Sequence, residues 1–80
     1  MSVYPNPASQ TLYISFAISG ASTPAIVKVM DITGKEVMNS NTTINNGSLL
    51  SMDISSLTAG MYFVQVITEK ATQVEKFIKR

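Results

Sequence analysis

Large apolar residues in this chain recur at every second position, in short runs that are each broken by a turn signal. A period of two lets a strand bury one face and wet the other, whereas a helix would scatter the same residues around its whole surface. Leu12, Ile14, Phe16 and Ile18 fall on one face of the run 12–18, with Tyr13 turned outward. Val27 and Val29 flank an outward Lys28 in the run 25–30, and Leu50, Met52 and Ile54 alternate with Ser51 and Asp53. In the run 61–67, Tyr62, Val64 and Val66 share a face. Gln65 marks the other face as wetter, although Met61, Phe63 and Ile67 also lie there.

The punctuation between these runs is equally specific. Residues 20–24 are small and read as a loop. Asp31-Ile32-Thr33-Gly34 places Asp first and Gly fourth, the chemistry of a type I turn in which Gly34 takes the left-handed conformation of a bulged hairpin. Residues 35–38 are then the returning strand. Asn46-Gly47 lies between Ile44 and Leu49 and carries a strong hairpin signal. Residues 55–60 form a connection. Short alternating strands with a turn every 8–12 residues or so predict an antiparallel sandwich or barrel.

The last dozen residues support two readings. Ala71, Val74, Phe77 and Ile78 fall at helical spacing, with Glu75 and Lys79 as an i,i+4 pair. Read as a strand, Val74 and Ile78 share a face with Lys76 between them, and Phe77 points the other way. Local pattern leans slightly to the helix. The need of an all-β fold for a closing strand leads us to expect a strand.

Composition narrows the function. At 80 residues the chain is one domain, and with no disulfide its expected stability is only about 3–5 kcal/mol. Hydrophobic residues make up 45% and the net charge is +1, which excludes a disordered tail and argues against a partner read through phosphates. The chain has no His and no Cys. An imidazole base, a thiolate nucleophile, a zinc finger and a disulfide framework are thereby ruled out. Asp31 and Asp53 are the only aspartates and lie in different segments, and no G-x-S-x-G string occurs. Neither an enzyme nor a cofactor or metal site is expected. No apolar stretch approaches the roughly 18 residues of a spanning helix. The first residues do not read as a signal peptide, so an exported parent protein would carry that signal elsewhere.

Four pieces occur in a set order: Val3-Tyr4-Pro5-Asn6-Pro7, the stretch from Val29 through Asp31 and Gly34 to Val37, the stretch from Leu57 through Gly60 and Tyr62 to Val66, and Glu75-Lys76-Phe77-Ile78-Lys79-Arg80. Over nearly the whole chain this series resembles the C-terminal sorting domain of proteins exported by the Bacteroidetes type IX (Por) secretion system. The resemblance implies an immunoglobulin-like antiparallel β-sandwich of about seven strands, spanning 11–80 behind a lead-in at 1–10. It also implies a role as the address of an attached N-terminal cargo protein. Such a domain meets type IX translocon components at the outer membrane and is usually removed by a sortase-like protease. The cargo passes through the periplasm and ends at the cell surface or outside the cell.

Most motif residues have a structural role to fill before any other. Pro5 and Pro7 stiffen the approach to the first strand and bias Tyr4 and Asn6 toward extended backbone. Asp31 and Gly34 build their turn. Leu57, Gly60 and Tyr62 frame the start of a late strand, where a Tyr whose hydroxyl returns to nearby backbone forms a tyrosine corner. The basic end is different: Lys76, Phe77, Ile78, Lys79 and Arg80 are the recognition candidates, because the resemblance concentrates sorting information there. The rival explanation is charge that protects an edge strand from aggregation. Two other functions compete with export. One is a carbohydrate-binding or adhesive module, for which the outward Tyr13 is the relevant aromatic. The other is self-association through edge strands.

Overall fold

The computed structural model describes residues 1–16, 22–45 and 49–80. Seven strands follow in order: β1 (Ser2–Tyr4), β2 (Thr11–Ser15), β3 (Thr23–Asp31), β4 (Glu36–Ile44), β5 (Leu49–Asp53), β6 (Gly60–Ile67) and β7 (Thr72–Lys79). They form two antiparallel sheets, one ordered β1-β2-β5 and the other β4-β3-β6-β7. This is the immunoglobulin-like sandwich, with the fourth strand placed beside the third.

Register explains why these residues make this core. Val3 faces Ile14, and Leu12 faces Met52, across the smaller sheet. Val27 faces Val66, Val29 faces Val64, and Tyr62 faces Phe77 across the larger one. Each alternation thus delivers its apolar set to the space between the sheets, where Leu12, Ile14, Val27, Val29, Ile54, Val64 and Phe77 lose all contact with solvent. Phe16 is buried with them; Ile18, expected on the same face, lies outside the described residues.

The closing segment is a strand. Helical spacing would have placed Phe77 and Ile78 on one flank, but the core needs Phe77 alone, and β7 pairs with β6 from Thr72↔Ile67 to Gly60↔Lys79. Burial along β7 is uneven. Thr72 to Lys76 are exposed, and only Phe77 and Lys79 lie inside.

Three local expectations need correction. β3 already begins at Thr23, so Pro24 belongs to a strand and not to the loop. Pro24 pairs with Thr43 before the β6 ladder starts at Ile26, a position where a missing N–H need not interrupt a central ladder. β4 continues past Met38 to Ile44 because its polar run Asn39–Thr43 is held by backbone pairing to β3 rather than by an apolar stripe. Asn46-Gly47 lies outside the described residues, and the strands on either side of it do not pair. β4 belongs to the larger sheet and β5 to the smaller, so the connection crosses between sheets.

The neighbouring residues Phe77 and Ile78 allow a direct test of this burial. Phe77→Ala removes a fully buried ring and is expected to cost about 3–5 kcal/mol, enough to unfold a domain of this size. Ile78→Ala acts on a side chain 42% exposed and is expected to cost about 0.5 kcal/mol or less. Urea denaturation followed by circular dichroism measures both.

Candidate functional site

The motif residues are scattered in sequence but meet at one end of the sandwich. Asp31 on β3 faces Tyr62 on β6, and Tyr62 faces Phe77 on β7, so the three form one row across the larger sheet. Gly60 faces Lys79 two positions further along. The lead-in completes the cluster, since Ala8 bridges to Lys79 in parallel orientation.

Each part of this end is built from local chemistry. In the β3–β4 turn the Gly34 N–H donates to the Asp31 C=O at 3.0 Å, and the Asp31 N–H donates to the Lys35 C=O at 2.9 Å. Gly34 has φ of +87°, a conformation that a Cβ penalises. The Asp31 side chain secures the turn from within. Its Oδ1 accepts from the Thr33 N–H at 2.9 Å, the Thr33 hydroxyl at 2.6 Å and the Lys35 N–H at 3.1 Å. The Thr33 hydroxyl is the largest influence on the Asp31 carboxyl and lowers its pKa. Desolvation opposes this, while the two backbone donors and the Lys35 charge add to it. Asp53 repeats the device at the end of β5, accepting from the Ser55 hydroxyl at 2.6 Å and the Ser55 N–H at 2.9 Å, and its pKa is lowered by the same two bonds. The two aspartates serve separate turns, and among the described residues no group of three acidic, His or Cys side chains is placed to hold a metal.

The tyrosine corner is present. The Tyr62 hydroxyl donates to the Thr58 C=O at 2.7 Å. Its ring stacks on Phe77 with centroids 5.6 Å apart and planes 21° apart. Gly60, with φ of +155°, turns the chain from the connection into β6. A shallow recess lies between this corner and the Asp31 turn, lined by residues of both.

The lead-in is part of the sandwich. Ser2–Tyr4 pair with β2 as β1, and Tyr4 stacks on Tyr13 with centroids 5.7 Å apart. Past Pro5, Asn6 accepts from the Ile78 N–H through Oδ1 at 3.0 Å. Ala8, fully buried, donates its N–H to the Ile78 C=O and accepts from the Arg80 N–H, both at 2.8 Å. The sequence offered no sign of this pairing. Asn6 sits between two prolines and Ala8 is chemically plain, and their partners lie some seventy residues further on.

The five recognition candidates divide by parity. Phe77 and Lys79 point inward; Lys79 is only 8% exposed, with its Nζ donating to the Arg80 carbonyl oxygen at 2.6 Å. Lys76, Ile78 and Arg80 face solvent.

A family profile described as "Secretion system C-terminal sorting domain" matches residues 2–80. The chain belongs to that family. No curated protein and no solved structure matches it. The sorting domain therefore carries a type IX export signal, a function that belongs to an address and not to a catalyst. Its match extends over the lead-in as well as the final strand, the two segments that the geometry joins. No helix among the described residues is long and apolar enough to cross a membrane.

Two measurements test the construction of this end. Tyr62→Phe deletes the bond to Thr58 and is expected to cost about 1–2 kcal/mol in urea denaturation. Asp31 and Asp53 both have folded pKa values below their unfolded ones, so their stabilisation is complete above the ordinary carboxyl range and is lost as pH falls through the folded values. The urea midpoint of the sorting domain should stay level from about pH 7 to 5 and drop below about pH 4. The drop should be shallower in the Asp31→Asn, Asp53→Asn double variant.

Proposed function

We propose that this sorting domain is the removable address of a larger secreted protein, presented to type IX translocon components as a folded sandwich. Cargo joins at the lead-in, passes through the periplasm and reaches the cell surface or medium, and a sortase-like protease cuts on the lead-in side. The observation that supports this reading best is the convergence of all four motif segments on one end of the fold. That end displays Lys76, Ile78 and Arg80 outward while holding Phe77 and Lys79 inside. In this reading the inward pair fixes the strand and the outward three are read. The domain itself catalyses nothing.

The adhesive alternative has less support. The two exposed tyrosines, Tyr4 and Tyr13, stack on each other across β1 and β2 and do not lie side by side as a flat platform for a sugar ring.

The test is export of a periplasmic reporter fused upstream of residues 1–80, in a Bacteroidetes host with an intact translocon. Reporter is expected at the surface or in the medium, and its retention in the periplasm would overturn the proposal. The double variant Lys76→Glu, Arg80→Glu should keep the circular dichroism spectrum and lower export about tenfold or more, the equivalent of about 1.4 kcal/mol of lost recognition.

A further inference from the structure

β7 is an edge strand that is only partly covered. β6 pairs with its whole length on one side. On the other side the chain's own residues 6–8 occupy just the far end, through the three hydrogen bonds to Ile78 and Arg80. Alternate residues of an antiparallel strand turn their N–H and C=O groups to the same side. The groups that Ile78 and Arg80 direct at the lead-in thus continue at Lys76, Val74 and Thr72, facing the same way. No strand among the described residues pairs with them. The side chains of this stretch are exposed along both faces as well. An open edge of this kind is a template for another strand unless charge or cover blunts it.

We infer that a protein of the export machinery adds an extended strand to the open edge Thr72–Lys76, and that residues 6–8 hold the continuation of that edge until the incoming strand displaces them. The identity of the partner rests on the export reading above; the mode of binding rests on the ladder. Ala8 shows that this edge accepts backbone bonds from a chain running parallel to β7, through an isolated bridge opposite Lys79. An incoming strand that extended this bridge along β7 in the same direction would meet the backbone groups of Thr72, Val74 and Lys76 first, then those of Ile78 and Arg80. Charge narrows its chemistry. Lys28 is engaged by Glu36 at 3.5 Å, whereas Lys76 and Arg80 have no acidic partner among the described residues, so the incoming strand should carry a carboxylate beside Lys76. A second copy fits less well. If its β7 were laid antiparallel and centred on Val74, its Thr72 would fall opposite Lys76, so it would bring no carboxylate to that position.

Proline scanning of the edge within the reporter fusion tests the inference. Val74→Pro removes an N–H that no other part of the fold uses among the described residues, and Thr72→Pro does the same at the first residue of the strand, where proline is best tolerated. Both variants should fold, as judged by circular dichroism and thermal melting. Each should lower export about tenfold, the effect of losing a backbone hydrogen bond of about 1.4 kcal/mol. Asn6→Ala should speed amide exchange at Ile78 and leave export equal to or above that of the unaltered fusion.

Folded proline variants exported like the unaltered fusion would overturn the inference. So would loss of export in a folded Asn6→Ala variant, which would make the lead-in part of what is read. A dimer of the isolated domain in light scattering that Val74→Pro abolishes would make the edge a contact between copies and would also overturn it. Retention of the unaltered fusion in the periplasm would instead overturn the export reading itself.

Discussion

The ring of Phe77 has no contact with solvent, although the five residues before it on the same strand are exposed. It lies against Tyr62, whose hydroxyl in turn holds the connection before β6 through Thr58. Burying an aromatic ring contributes about 2–3 kcal/mol, and a well-placed aromatic pair adds about 0.5–1.5 kcal/mol. Set against a total stability of about 3–5 kcal/mol, this one stack is comparable with everything left over after conformational entropy is opposed. The position of β7 depends on it, and the position of β7 decides where the lead-in docks and which basic residues face outward. A single inward residue orders the end of the fold that the family signature spans.

Much of this was legible in the sequence because a period of two is a local property. Leu12, Ile14, Val27, Val29, Tyr62, Val64 and Val66 announce their inward faces without reference to any partner. The Asp31–Gly34 turn and the Tyr62 corner were legible for the same reason, each being closed by residues within four positions. Legibility ended where pairing supplied what pattern did not. The polar run of β4 has no apolar stripe and is a strand only because β3 lies beside it. Asn46-Gly47 suggested a hairpin, yet a turn signal does not say whether its flanking strands share a sheet. The bonds of Asn6 and Ala8 to Ile78 and Arg80 join the two ends of the domain, and nothing in either segment points to the other. Within the basic end, only the inward direction of Phe77 separates residues that are available to a reader from residues that support them.

The lead-in has two structural commitments at once. Through β1 it belongs to the smaller sheet, and through Asn6 and Ala8 it lies on the edge of the larger one. A segment shared in this way couples the two sheets at the point where cargo is proposed to attach. Of its two contacts with that edge, Asn6 is exposed, whereas Ala8 is fully buried in the core.

The contact between Ala8 and the Ile78–Arg80 stretch also has a bearing on timing. On the ribosome, residue 8 emerges long before its hydrogen-bonding partners exist, so early segments must wait for the final strand before either sheet edge is complete. Loop-closure entropy over so long a span makes this the kind of contact that forms slowly. A polypeptide broken off before Phe77 would lack the ring that seats on Tyr62 and the backbone that seats on Ala8. Such a fragment would have no stable sandwich to show. A complete sandwich therefore forms only after synthesis has passed residues 77–80.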